Sequence, residues 1–285
     1  FDLDGFVRPA AITRALAEIT PVAETLSFTH KRRHNIYFKP DVPGLPADHP
    51  ALQRVETVNH TVCADQIPAS VPLWIYEWAP FQVFLAAAMG QPVLFAMLDP
   101  LARVNVMTYY AGERLNWHFD RSDFTTTILL QAPERGGEFL YHTDLRSDSD
   151  PNYDGVARLL RGEDPQMQSL TLRPGALNVF KGRNTPHCVT PFAGETPRVM
   201  TVFSYYPRPG VTFSPEEQIG FYGRRASFRA LIPRPDPACQ QARLPDRATT
   251  GNRGVDGVDA RRKPCGFFAQ FPGKAVFRRT RSLRH

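Results

Sequence analysis

Two histidines and one aspartate stand out for what they could do together. In the run Asn116-Trp117-His118-Phe119-Asp120, the residues His118 and Asp120 are two positions apart. On a strand, positions i and i+2 project to one side, so an imidazole nitrogen and a carboxylate oxygen can face a single ion. His187 is the best candidate for the third ligand. Two histidines and one carboxylate on one face leave three coordination positions open, an arrangement suited to non-haem Fe(II). A chelating keto acid and dioxygen would fill them. An HxD pair alone is weak evidence in a chain with eight histidines, and a second one stands at His142-Thr143-Asp144. That pair ends a predicted strand and leads into a polar stretch, so His142 is expected at the rim. His118-x-Asp120 leads instead into the predicted strand TTTILLQ.

Arg198 adds a second kind of chemistry. It opens a predicted strand eleven residues past His187, and a hairpin between the two strands would put both side chains in one cavity. A fixed guanidinium there could grip the distal carboxylate of a dicarboxylic co-substrate in bidentate fashion. An arginine without that role is expected at the surface, because burying one without an anion is costly.

These residues need a frame. Residues 9–26 read as a helix interrupted at Pro21, 31–50 as a loop, and 72–90 as a helical pair broken at Pro80 and stopped by Gly90. From Leu101 the apolar pattern alternates. LARVNVMTYY, TTTILLQ, GEFLYH, SLTL, LNVFKG and RVMTVFSYY all read as strands, separated by Gly- or Pro-rich turns. Helices followed by many short strands predict an antiparallel sandwich or barrel with a helical support. Residues 143–168 form a polar excursion. Within it Asp150, Asn152 and Asp154 are spaced like the start of a calcium loop, but Arg161 stands where the bidentate Glu belongs. A solvated loop with one helical turn near Val156–Arg161 is expected instead.

Charge is divided unevenly. Residues 224–285 hold 15 Lys+Arg against 4 Asp+Glu, leaving 19 against 24 in the first 223 residues. The basic stretch lacks aromatic platforms and any recognisable binding fold, so a nucleic-acid partner is not expected. It is also Arg-heavy and without sustained period, which predicts either disorder or a segment outside the native reading frame. No run approaches the roughly 18 apolar residues of a membrane span, so no membrane is expected and the expected location is cytoplasmic. The first residue is Phe1 rather than Met, from which an incomplete N-terminus is expected. Cys63, Cys188, Cys239 and Cys265 form no CxxC pair, and each is expected to be an inert thiol.

The order HxD, long spacer, His, ten residues, Arg resembles the Fe(II)/2-oxoglutarate oxygenases over about residues 101–206. The text NWHFDRSDFTTTILLQAPERGGEFLYH, with RSDSDPNYDGV and GRNTPHCVTPF, is similar to the HalD/BesD-like branch of free-amino-acid radical halogenases and their hydroxylating relatives. That likeness extends across residues 5–223. It implies a mainly β fold with supporting helices, a double-stranded β-helix (jelly-roll, cupin-like). Residues 1–100 would supply helical support and lid elements, 101–223 the oxygenase core, and 224–285 the tail. The excursion at 143–168 and the helical pair at 72–90 are the candidates for a lid.

The same resemblance implies Fe(II), 2-oxoglutarate and O2, with His118, Asp120 and His187 as metal ligands and catalytic residues. Arg198 would bind the co-substrate, and Tyr109 sits where related enzymes place a tyrosine against it. A plain core aromatic is the other reading of Tyr109. Asn105 and Arg103 share its face by alternation, and Trp117, Arg121 and Asp123 flank the metal pair. Halogenases of this branch carry Gly or Ala where the metal carboxylate would stand. Asp120 therefore implies hydroxylation of an unactivated C–H bond in a small molecule, a free amino acid, with release of succinate and CO2. Halogenation, hydroxylation of a peptide, and a non-catalytic cupin-like barrel with a vestigial metal site are the alternatives.

Overall fold

Alternating apolar residues in the second half of the chain build a frame with two faces. The computed structural model describes residues 1–227. In chain order the elements are β1 (Asp2–Leu3), α1 (Pro9–Leu26), β2 (Phe28–His34), β3 (Val55–Cys63), α2 (Val71–Glu77), α3 (Ala79–Ala88) and β4 (Phe95–Ala96). There follow β5 (Val104–Tyr109), β6 (Thr125–Gln131), β7 (Arg135–Gly136), β8 (Phe139–Tyr141), α4 (Tyr153–Leu160), β9 (Gln168–Leu170) and β10 (Leu177–Phe180). The last are β11 (His187–Val189), β12 (Phe192–Ala193), β13 (Arg198–Phe203), β14 (Tyr205–Tyr206) and α5 (Pro215–Tyr222). The major sheet runs β1-β10-β6-β13-β5-β3-β2, and a minor sheet runs β11-β8-β9. Together they form a double-stranded β-helix, mainly antiparallel β with supporting helices.

Period-2 alternation on β5 shows how the sheet divides its labour. Val104 and Val106 are fully buried and join Ile19 of α1, Leu73 of α2 and Leu85 of α3 in the main core. Each such side chain contributes roughly 1.5–3 kcal/mol by leaving water. Met107 and Tyr109 point the other way, into a cavity. The helices thus back the outer face of the major sheet. That corrects the expectation that the 72–90 pair could act as a lid, because it lies behind the sheet rather than over the cavity. In the excursion at 143–168, Val156 of α4 packs with Ile36, Tyr37 and Phe119, and none of its residues lines the cavity.

Other expectations differ in instructive ways. Helix α1 continues through Pro21, with Ile19 and Ala23 buried on either side of it. Helices α2 and α3 part at Trp78, leaving Pro80 in the first turn of α3, where its missing N–H costs nothing. The segment read as loop from Lys31 in fact continues β2, which pairs with β3 along Phe28–His34. Three strands from the first hundred residues therefore belong to the major sheet, not only helices. The basic stretch predicted to be disordered or out of frame lies outside the described residues, apart from 224–227. No helix among the described residues is long and apolar enough to cross a membrane.

Candidate active site

The backbone brings the candidate metal-ligating residues together first. His118 N donates to His187 O and His187 N donates to His118 O, both at 3.1 Å, in an isolated β-bridge. Asp120 N donates to Gly182 O at 3.0 Å. The strand expected around His118 is thus reduced to one bridge in an otherwise irregular segment. β11 carries His187 against β8 of the minor sheet. Arg198 opens β13 in the major sheet, between β5 and β6. The expected hairpin between those two strands is therefore incorrect: the residues meet because the sheets face each other.

His118, Asp120 and His187 bring one ligand atom each to within 4.8 Å of the others. His118 Nε2 lies 3.2 Å from Asp120 Oδ1 and His187 Nε2 lies 3.5 Å from Asp120 Oδ2. Donors about 2.1 Å from one ion and at right angles are separated by about 3 Å, so the spacing fits a shared cation. Each imidazole has its other nitrogen committed, His118 Nδ1 to Asn116 O at 2.8 Å and His187 Nδ1 to Thr185 O at 3.0 Å. A carbonyl only accepts, so Nδ1 carries the proton and Nε2 is bare in the neutral ring. Two bare nitrogens and a carboxylate converging on one point repel each other unless a cation sits between them. The donor set therefore fits a divalent metal ion.

Electrostatics agree. Burial pushes the His187 imidazole down to about 4, which keeps it neutral and able to coordinate. Burial alone would raise the Asp120 carboxyl, but His187, His118 and the Thr125 hydroxyl hold it well below the usual carboxylate range. Thr125 Oγ1 donates to Asp120 Oδ2. Phe180 and Phe139 pack on the His187 ring at 4.6 and 5.4 Å between centroids and fix its plane. Gly182 is needed because of close approach: a Cβ there would lie 2.2 Å from Asp120 Oδ2 and 2.5 Å from Thr125 Oγ1.

The cavity, about 150 Å³, has the three residues at one part of its wall and Arg198, Tyr109, Asn59 and Thr127 elsewhere along it. Arg198 is only 2% exposed, yet its nearest polar contacts are Met200 Sδ at 3.8 Å from both terminal nitrogens. Arg198 Nε and Thr127 Oγ1 are buried without hydrogen-bond partners. Buried polar groups are ordinarily satisfied, so the Arg198 guanidinium suits a ligand with an anionic oxygen. Burial pushes the guanidinium down to about 10, with the Tyr109 phenol opposing. Tyr109 stands opposite Arg198 in register, its ring 6.0 Å from the guanidinium carbon. Burial raises its phenol to about 12, with Arg198 opposing.

The weaker sequence candidates lie elsewhere. Asn105 donates to Leu101 O and accepts from the Tyr222 hydroxyl, and Arg103 reaches Glu77. Asp123 pairs with Arg183 and Arg121 with Glu217, while Trp117 packs near Phe119. His142 pairs with Asp164 outside the metal cluster. Asn152 caps α4 by accepting from Gly155 N, which accounts for the calcium-like spacing. Thr125, Gly182 and Thr127 were missed. Their only sequence signal is position, a threonine run and a glycine flanking strands.

A sequence profile described as halogenase D (HalD) matches residues 18–212, more than half of the chain. The chain belongs to the halogenase D family. Members of this iron(II)/2-oxoglutarate oxygenase family use Fe(II), 2-oxoglutarate and O2, so the chain is an oxidoreductase of that class. No curated protein matches it. Among solved structures, AviO1 from Streptomyces viridochromogenes Tue57 is 19% identical, covering 74% of this chain and 90% of its own, with a TM-score of 0.47. A Pseudomonas putida prolyl-4-hydroxylase is 18% identical, covering 74% and 92%, with a TM-score of 0.42. A 2OG-Fe(II) oxygenase family oxidoreductase from Burkholderia pseudomallei is 14% identical, covering 69% and 80%, with a TM-score of 0.41.

Proposed function

We propose that this halogenase D family member hydroxylates an unactivated C–H bond of a free amino acid, with His118, Asp120 and His187 holding Fe(II). The observation that carries this reading is the Asp120 carboxylate set between the two imidazoles. When bound, the iron with 2-oxoglutarate and O2 supplies the oxidising power to break the C–H bond, with succinate and CO2 released. Asp120 supplies the third protein ligand, at the position a halide would need. Thr125 donates to that carboxylate, and the Gly182 carbonyl fixes the backbone of the same residue by accepting from the Asp120 amide. Arg198 anchors the distal carboxylate of 2-oxoglutarate, Thr127 offers a hydroxyl beside it, and Tyr109 bounds its site. The apolar walls contributed by Phe139, Phe180, Val189 and Val202 exclude water from the cavity and favour a small substrate over a folded partner.

Halogenation is the second reading, favoured by the family's own description. Succinate release and product mass, measured over a panel of free amino acids with and without chloride, separate the two. The wild type should add one oxygen to its preferred amino acid irrespective of chloride, and Asp120→Ala should lose that product. A chlorinated product from the wild type, or equal oxygen insertion by both proteins, would overturn the assignment.

A further inference from the structure

The inner face of the major sheet does not end at the cavity. Directly paired residues of antiparallel strands share a face, so the cavity-lining Tyr109 and Asn59 continue outward to the edge strand β2. There Asn59 is paired with His30, and Thr57 with Arg32. Helix α5 lies across this edge, and between the two is an open cleft of about 560 Å³ lined by residues including Phe28, His30, Arg32, Arg121, Glu216 and Phe221.

The charges in the cleft are arranged in two walls. On the β2 side Arg32 forms no ion pair among the described residues, and its guanidinium lies 4.7 Å from the Phe38 ring centroid. Burial and the charge of Arg121 both lower its pKa, so the spot favours an added anion. Lys31 is already engaged by Glu56, and Arg121 by Glu217 at 2.6 Å. On the α5 side Glu216 is 77% exposed; its one ion-pair partner among the described residues is Arg225 at 4.0 Å, and the Ser214 hydroxyl also reaches it. An arginine without an ion pair and a largely exposed carboxylate thus line one cleft.

The cleft also adjoins the metal-binding residues. Phe38 stands between them, its ring 6.3 Å from the His118 ring. Its φ of +55° is a left-handed backbone conformation unusual for a bulky residue. Such conformations persist where the surrounding structure imposes them, commonly at functional sites. Arg121 is the residue after Asp120. Phe38 thus touches both an arginine of the cleft and a histidine of the cluster.

We infer that the cleft between β2 and α5 receives the zwitterionic head of the amino-acid substrate, its carboxylate on Arg32 and its ammonium on Glu216. The side chain to be oxidised then extends past Phe38 toward the metal. This rests on the amino-acid reading above and adds where the common part of every amino acid is recognised.

The test is calorimetric titration of the full chain loaded with Mn(II) and 2-oxoglutarate. The probes are free amino acids, and the α-amide of each one that binds, beside succinate release with iron. A charge-assisted contact of this kind is worth roughly 10- to 100-fold in affinity. Arg32→Gln should weaken the acid by that factor and leave its amide unchanged, and Arg32→Lys should recover part of the loss. Glu216→Gln should weaken acid and amide alike. Arg33→Gln, on the opposite face of β2, should change neither. Equal binding of the acid by wild type and Arg32→Gln, with amino-acid turnover retained, overturns this subsite and leaves the proposed activity standing. Failure of the wild type to bind or turn over any free amino acid overturns both.

Discussion

Replacing Arg198 by methionine should make the protein more stable and abolish its response to 2-oxoglutarate. The guanidinium is 2% exposed and its pKa is pushed from 12.5 to about 10. At about 1.4 kcal/mol per pKa unit, the charged form costs the empty folded state about 3 kcal/mol. The sign follows from linkage: the folded pKa lies below the unfolded one, so the proton is held less well on folding and the penalty is fully present at neutral pH. A dicarboxylate anion relieves it. Methionine fills similar space beside Met200 and carries no charge, and replacing a buried ion by an apolar group is often stabilising. Allowing for lost contacts, the gain should be roughly 1–3 kcal/mol, or about 2–8 °C in a protein of this size. The measurement is thermal unfolding with Mn(II), in buffer free of small carboxylates, with and without 2-oxoglutarate. The wild type should melt lower without co-substrate and rise on its addition, whereas Arg198→Met should start higher and stay flat. A variant that melts below the wild type in the absence of 2-oxoglutarate, or that rises equally on its addition, would refute the reasoning.

Gly182→Ala should weaken Mn(II) binding at least tenfold while circular dichroism stays native, because the added methyl collides with Asp120 Oδ2; unchanged equilibrium dialysis would count against the close packing described. His187 gives a pH prediction for the metal-free protein. Its unfolded pKa is near 6.5 and its folded value about 4, so its contribution is complete above 6.5 and is lost as pH falls toward 4. His187→Leu should flatten the urea midpoint across that window relative to wild type, and a slope identical to wild type would contradict it. Burial pushes the Cys63 and Cys188 thiols up to about 12, so neither should react with iodoacetamide at pH 8 in the native state, as read by peptide mass spectrometry. Labelling at the rate of a free thiol would show those sites to be open.

Much of the frame was legible because alternation is a strong signal once strands are buried on one face. VNVMTY and TTTILLQ announced themselves, and so did the shift from helix to strand near Leu101. β2 did not: FTHKRRH is an edge strand with charged residues, the composition that protects an edge from unwanted pairing, and it reads as loop. Among candidate site residues, HxD pointed to two members of the His118, Asp120 and His187 cluster, and distance along the chain gave no reason for His187 beyond its surroundings. Arg198 was placed at the cavity through a mistaken topology, since sequence spacing cannot distinguish a hairpin from two strands in facing sheets. Thr125 and Gly182 were invisible because their parts depend on contacts made only after folding. A glycine needed for clearance looks like any other glycine.

The reciprocal amide link between positions 118 and 187 is made entirely by main-chain atoms, and the amide of residue 120 is tethered likewise to Gly182. None of these bonds depends on what side chain residue 120 carries. The two histidines would stay in place if that carboxylate were exchanged for a smaller group, so one codon can change what stands between the imidazoles without rebuilding the architecture.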